Sequence, residues 1–288
     1  MSLAHAVRSV PISRHDGVAR TVSRDDALAV EEPLEIRVGG KSVAVVMRTP
    51  GHDRELAAGF LVTEGLLRRR DDVLDMVRCP PAERSAGSLP ARAEHGQADR
   101  ATINENTLDV LLAPGAVFDV ARLTRHVFTS SSCGICSQAT IAAVRAQFPA
   151  IARPLAPRRD VLAALPAKLR AEQAGFAATG GVHAAALFAP DGTLEAVRED
   201  VGRHNALDKV IGRAFFADNL PLADRILLVS GRVSFELMQK ALAAGLPCVA
   251  AISAPTTAAV EFARASGQTL VGFLRGDTMN VYAGTLAP

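Results

Sequence analysis

From Leu34 onward, apolar and polar residues alternate: Leu34, Ile36 and Val38 are separated by polar positions, Gly39-Gly40 follows, and Ser42 to Met47 returns as an apolar run. A period of two around a glycine pair predicts a β-hairpin. After Thr49-Pro50-Gly51 the period changes. Asp53 and Glu55 fall in a first turn, and Leu56, Phe60 and Leu61 recur at helical spacing until Gly65, which predicts a helix. Arg78 to Arg100, rich in Pro, Gly, Ser and charge, reads as a surface excursion, and Thr107 to Leu112 as another strand. The first 30 residues are polar and aperiodic. The expected organisation is therefore a partly ordered lead-in over 1–30 and a small α+β subdomain with antiparallel pairing over 31–125.

Residues 126–288 have a different rhythm. Ile141, Val144 and Phe148 mark one helix, and Val161 to Ala174 a second with Pro166 expected in its first turn. Val182–Phe188 and Leu194–Val197 flank Pro190-Asp191-Gly192, a hairpin with a turn signal. A helix from about Arg203 to Phe216 buries Leu207, Val210, Ile211 and Phe215. Three short apolar strands follow, Arg225–Val229, Pro247–Ile252 and Thr269–Leu274, separated by amphipathic helices over Phe235–Ala244 and Thr256–Ala265. Continuous apolar strands with helical crossovers predict a mainly parallel sheet covered on both faces, a three-layer α/β/α domain.

Composition narrows the function. The chain has 288 residues, 32 basic and 30 acidic, for a net charge of +2, too balanced for broad capture of polyanions. With a single Tyr and no Trp, stacking platforms for single-stranded nucleic acid are scarce, so no nucleic-acid partner is expected. No run of about 18 apolar residues occurs, and Met1 to Val10 lacks the apolar core of a signal peptide. A cytoplasmic protein without a membrane partner is expected. Four cysteines, at 79, 133, 136 and 248, are too few for a disulfide scaffold at this length, and in a reducing compartment a close pair points to metal or catalysis.

That pair lies in Thr129-Ser-Ser-Ser-Cys133-Gly-Ile-Cys136-Ser-Gln138. A thiol just before or within the first turn of a helix ionises more easily. Several chemistries remain open. A structural zinc site needs about four ligands, and neither Cys79 nor Cys248 belongs to a second close pair. A dithiol redox centre needs only these two thiols, but lacks the strand that leads into the helix of a thioredoxin-like motif. A sulfur carrier fits as well, since a nucleophilic thiolate accepts sulfur as a persulfide and a neighbouring thiol helps release it. Two inert buried thiols are the plain alternative. Cys248, in an apolar strand, reads as a small core hydrophobe.

Anion-binding candidates lie beyond the strand ends, where ligands of such sheets bind. They are Ser230-Gly231-Arg232, Ser253 in Ser253-Ala-Pro-Thr256, and the stretch Phe273, Leu274, Arg275, Gly276, Asp277 and Thr278. Capping of the next helix by Ser230 or Ser253 explains those two serines equally well. Arg203 and His204, in a polar connector, offer donors for an anion. Gly180 and Gly181, ahead of His183, allow close backbone approach.

Taken together, Cys133-Gly-Ile-Cys136, Thr179-Gly-Gly-Val-His183, Glu199-Asp-Val-Gly-Arg-His-Asn-Ala-Leu-Asp-Lys209, Ser230-Gly-Arg-Val-Ser234 and Val271-Gly-Phe-Leu-Arg-Gly276 resemble the FdhD/NarQ family of formate dehydrogenase accessory sulfur carriers. Thr49-Pro-Gly-His-Asp-Arg-Glu-Leu56 and Gly59-Phe-Leu-Val-Thr-Glu-Gly65 fit the same family, and the likeness runs from about Leu34 to Tyr282. The resemblance implies a cytidine deaminase-like fold behind a smaller α+β subdomain, without deamination. A deaminase needs His-x-Glu followed by Pro-Cys-x-x-Cys, whereas here the Cys pair precedes His183, Ser132 replaces the proline and Ala185 the glutamate.

The resemblance also implies that Cys133 carries a persulfide with Cys136 as helper, that a cysteine desulfurase donates the sulfur, and that a formate dehydrogenase receives it. The client is then molybdenum bis(molybdopterin guanine dinucleotide), with GDP or a related guanine nucleotide as a mimic, no structural metal, and a homodimer as an open expectation. Phe273 to Thr278 matches the stretch the family uses for the cofactor. Ser137-Gln138 departs from the Gly-Lys common in relatives. A delivery chaperone with incidental cysteines, or a zinc-organised binding module, are the alternatives.

Overall fold

The computed structural model describes residues 5–16, 20–78, 106–116 and 148–288. The cysteine loop, Cys79, most of the 78–100 excursion, the boundary expected near 125 and the helix expected at Ile141 lie outside the described residues.

The N-terminal stretch forms strands β1 (Val7–Asp16) and β2 (Arg20–Ala29), paired antiparallel along their length. Most of its described side chains are partly or fully exposed, so it lacks the burial contrast that makes a strand visible in sequence. The hairpin expected from Leu34 is present as β3 (Glu32–Val38) and β4 (Lys41–Arg48), followed by α1 (Asp53–Thr63). Gly39 and Gly40 both take positive φ, which glycine adopts without a Cβ penalty. With β5 (Val73–Arg78) and β6 (Thr107–Leu112) these strands make a four-stranded sheet ordered β4-β3-β6-β5. The β3–β6 pair is parallel and the other two pairs are antiparallel.

Helices α2 (Arg159–Glu172) and α3 (Ala174–Thr179) precede the hairpin β7 (His183–Phe188) and β8 (Leu194–Asp200). Pro166 stands inside α2, past the first turn where it was expected. Next come α4 (Arg203–Phe216), β9 (Ile226–Val229), α5 (Phe235–Ala243), β10 (Cys248–Ala251), α6 (Thr257–Ser266), β11 (Thr269–Arg275) and β12 (Thr278–Ala283). The second sheet has six strands in the order β12-β11-β10-β9-β7-β8.

The expectation of a mainly parallel sheet is corrected. Only β9–β10 and β10–β11 run parallel, while β7–β8, β7–β9 and β11–β12 are antiparallel. The alternation of strand and helix was legible, but the two tight hairpins that flank the parallel centre reverse their outer strands.

Side-chain alternation separates the two faces. Ala184, Ala186, Phe188, Ile226, Leu228, Cys248, Ala250 and Leu274 pack with Leu162, Leu165 and Leu169 of α2. On the opposite face, Leu187, Leu227, Val229 and Val249 join residues of α4, α5 and α6, and that cluster continues through α1 into Leu34, Ile36 and Leu108 of the smaller sheet. Burial of apolar surface, at about 25 cal/mol per Å2, therefore holds both sheets through one continuous core. Among the described residues no helix is long and apolar enough to cross a membrane.

Candidate functional site

Because β7 runs antiparallel to both β8 and β9, the start of β7 and the ends of β8, β9, β10 and β11 all lie at one end of the large sheet. The anion-binding candidates collect there. Ser230 follows β9, and its Oγ accepts from the Ala184 backbone N–H at 2.9 Å, tying that loop to the start of β7. A Cβ on Gly231 would stand 3.2 Å from His183 Nδ1, so glycine lets the imidazole lie close against the loop. Val233 N–H donates to the Ala254 carbonyl at 3.1 Å, and Phe273 N–H to the Ser253 carbonyl at 3.1 Å, linking the next loops in series. The helix caps are Ser234 and Thr256, not Ser230 and Ser253. Capping therefore does not account for those two serines.

The glycine pair is positioned from β8. The Glu199 carboxylate accepts from the Gly175 and Phe176 N–H groups at 2.7 and 2.8 Å, holding the start of α3. That helix ends on Gly180 at φ 66°, and Gly181 follows, exposed.

Across β8 lies the start of α4. Its N-cap, Gly202, supplies no side-chain hydrogen bond, and the first turn has no acidic residue. Arg203 opens the helix, and its Nε is buried without a hydrogen-bond partner among the described residues. Unpaired helix N–H groups and a guanidinium make this end attractive to an anion. His204 Nε2 lies 3.2 Å from Ser234 Oγ and 3.6 Å from a Glu236 oxygen. Burial first, then Arg203 and Lys240, lower its pKa to about 3, so the ring is neutral. His183 is shifted in the same direction by burial and by Arg203.

Phe273 to Thr278 extends beyond the end of β11. Phe273 takes φ 51° and is 37% exposed, an unfavourable backbone for a side chain with Cβ. The Arg275 guanidinium sits 5.8 Å from its ring centre. Gly276, Asp277 and Thr278 are exposed in the following turn. Leu274 differs from its neighbours: it is fully buried in the core beneath α2, so it offers a ligand no exposed group. Three strand spacings of about 4.8 Å separate β11 from β7, which places the Phe273 turn and the His183–Arg203 cluster about 14 Å apart at the two ends of the row. Arg232 is exposed between them.

A buried network underlies this end. Lys209 Nζ is 2.6 Å from Asp200 Oδ2, with both side chains at 0% exposure, and it donates to the Thr49 carbonyl at 2.8 Å. The other Asp200 oxygen accepts from Gly202 N–H and Asn205 Nδ2. On the neighbouring face Arg198 forks onto Glu55 at 2.5 and 2.7 Å, and His52 Nδ1 lies 3.3 Å from the same carboxylate. Thr49, His52, Glu55, Asp200 and Lys209 stood in the sequence motifs, but sequence reasoning assigned them no role in the site. The available signal was Asp208-Lys209 set inside Ala206-Leu207 and Val210-Ile211, since charges within an apolar run imply internal partners.

A cavity of about 540 Å3 lies against α1, with Arg54, Arg78 and Phe216 in its wall. It includes none of the candidate anion-binding residues, and Arg54 and Arg78 are paired with Asp75 and Asp53. Among the described residues no three His, Cys, Asp or Glu side chains are disposed to hold a metal ion. Cys248 is buried, and burial raises its thiol to about 12, in keeping with a core role.

Comparison with known proteins agrees across the chain. The family model described as FdhD/NarQ family matches residues 29–286. The sulfur carrier protein FdhD of Mycobacterium tuberculosis is 51% identical over 284 residues, covering 98% of both chains. That of Streptomyces avermitilis is 50% identical over 272 residues, covering 93% of this chain and 90% of its own. A crystal structure of a putative formate dehydrogenase accessory protein from Desulfotalea psychrophila superposes with a TM-score of 0.70 at 19% identity, covering 97% of each chain, and so shares the fold. With matches of this length and identity, the chain belongs to the FdhD/NarQ family.

Proposed function

We propose that this protein is a sulfur carrier for formate dehydrogenase, taking sulfur from a cysteine desulfurase on Cys133 and passing it to molybdenum bis(molybdopterin guanine dinucleotide). In loading, the Cys133 thiolate attacks the outer sulfur of the donor persulfide. A new S–S bond forms on Cys133, the donor S–S bond breaks, and the donor cysteine leaves as a thiolate. Cys136 then attacks the Cys133 sulfur, closing a disulfide and releasing the outer atom as sulfide, with the two thiols supplying the electrons. The cofactor is cargo rather than a resident group. Its phosphates suit Gly180, Gly181, His183, Arg203, Gly231 and Arg232, and its guanine suits the Phe273 to Thr278 turn, where an aromatic ring and a guanidinium are exposed together.

The observation that carries this reading is convergence: sequence segments far apart in the chain, Gly180 to His183, Asp200 to Asn205, Ser230 to Arg232, Ser253 and Phe273 to Thr278, meet at one end of one sheet. Deaminase-like layering without deaminase chemistry belongs to the same reading, since Ala185 is a buried β7 residue with no carboxylate to move a proton.

The test is intact mass after incubation with a cysteine desulfurase and cysteine. Wild type gains about 32 Da, removable by reductant, and Cys133→Ala does not. A full gain in that variant rejects Cys133 as the carrier. Activation of formate dehydrogenase in cells by Cys133→Ala would instead favour a delivery chaperone.

A further inference from the structure

We infer that Thr49, in the segment joining β4 to α1, is a positioning residue for the anion-binding end of the large sheet. The inference rests on the reading above that this end takes a guanine-nucleotide cofactor.

Thr49 is buried, and all three of its polar groups are used on the end of β8, the turn after it and α4. Its N–H donates to Asp200 Oδ2 at 3.2 Å, and its carbonyl accepts from Lys209 Nζ at 2.8 Å. Its Oγ1 accepts from the Val201 N–H at 3.1 Å. Asn205 adds a fourth tie, donating from Nδ2 to the Met47 carbonyl at 2.7 Å. The segment held in this way, residues 200–205, is the one that presents the uncapped start of α4 with Arg203 and His204.

Each tie acts on a different part of that segment. Lys209 neutralises the Asp200 carboxylate, whose second oxygen fixes the Gly202 N–H at 2.8 Å. Thr49 Oγ1 fixes the intervening Val201 N–H. The Val201 and Gly202 N–H groups are spent on these internal bonds, but they fix the backbone that leads into the first turn of α4, and groups fixed beforehand bind an anion more tightly than ones that must be ordered on binding. The small sheet thus supports binding by the large one without touching the ligand.

The experiment is calorimetric titration of the full-length protein with GDP, for wild type, Thr49→Val and Thr49→Ser. Valine keeps the shape and both backbone contacts but removes Oγ1, while serine restores it. Loss of one hydrogen bond to the segment is expected to weaken GDP by about fivefold in Thr49→Val, with Thr49→Ser within about twofold of wild type. Hydrogen exchange of the Val201 and Gly202 amides should quicken in Thr49→Val alone. If Thr49→Val folds poorly, Asn205→Ala cuts the ties to the Met47 carbonyl and to Asp200 Oδ1 and should weaken GDP in the same direction. Wild-type GDP affinity in Thr49→Val, or in Asn205→Ala where Thr49→Val does not fold, overturns the positioning role. Absence of GDP binding by the wild type overturns the cofactor reading itself, and the inference with it.

Discussion

Gly59 and Asp208 set the distance between helices α1 and α4: a Cβ on Gly59 would stand 1.8 Å from the Asp208 carbonyl oxygen. The contact is repeated one turn along, where a Cβ on Gly212 would stand 1.8 Å from the Glu55 carbonyl oxygen. Neither neighbour is a flexible side chain, so a methyl group must push the helices apart. Gly59→Ala is expected to cost about 3 kcal/mol, read by denaturant unfolding. A loss under about 1 kcal/mol would mean that the helices slide freely.

The Asp200–Lys209 pair has no access to solvent. Lys209→Met leaves the Asp200 carboxylate buried without its cation, a change expected to cost about 3 to 5 kcal/mol. The double variant Asp200→Asn with Lys209→Met removes both charges and should recover at least half of that loss. Equal destabilisation in single and double variants would show that packing, rather than charge, holds this position.

Acid should unfold the protein partly through His204. Its folded pKa of about 3 lies below the ordinary value of 6.5, so the unfolded chain binds the extra proton. Stability from this residue is complete above pH 6.5 and is lost as pH falls toward 3, by about 3 kcal/mol between pH 6.5 and 4. Burial raises the Asp208 carboxyl to about 6, which gives the opposite slope between pH 4 and 6, so the comparison must be differential. His204→Asn should lose less stability than wild type over this range. Parallel pH curves for the two would exclude His204 as the source.

Phe273 combines a left-handed backbone with an exposed ring. Phe273→Gly relieves about 1 to 2 kcal/mol of strain but gives up the Arg275 contact and adds chain entropy, so net stability should change by less than about 1 kcal/mol. GDP affinity should fall, and Arg275→Ala should lower it too. Unchanged binding in both variants would remove this turn from the ligand site.

The elements themselves were largely written in the local pattern. Leu34, Ile36 and Val38 gave away the first hairpin, and the apolar runs at 226–229, 248–251 and 269–275 gave the strands of the parallel centre, because burial of one or both faces imprints a period on the chain. The β1–β2 hairpin left no such imprint. The candidate end of the sheet was legible as chemistry, through Gly180-Gly181, Arg203, Ser230-Gly231-Arg232 and Phe273-Leu-Arg275, since loops after strand ends must supply polar groups wherever a ligand binds.

What the order of residues alone decided was element type and the family likeness. Tertiary structure decided strand direction on either side of the parallel centre, the helix contact at Gly59 and Gly212, and the meeting of Thr49 with Asp200 and Lys209 across some 150 residues. Local periodicity records only whether a residue faces core or water. Which buried charge meets which partner depends on how distant elements stack, and that is fixed by the packing of the whole core.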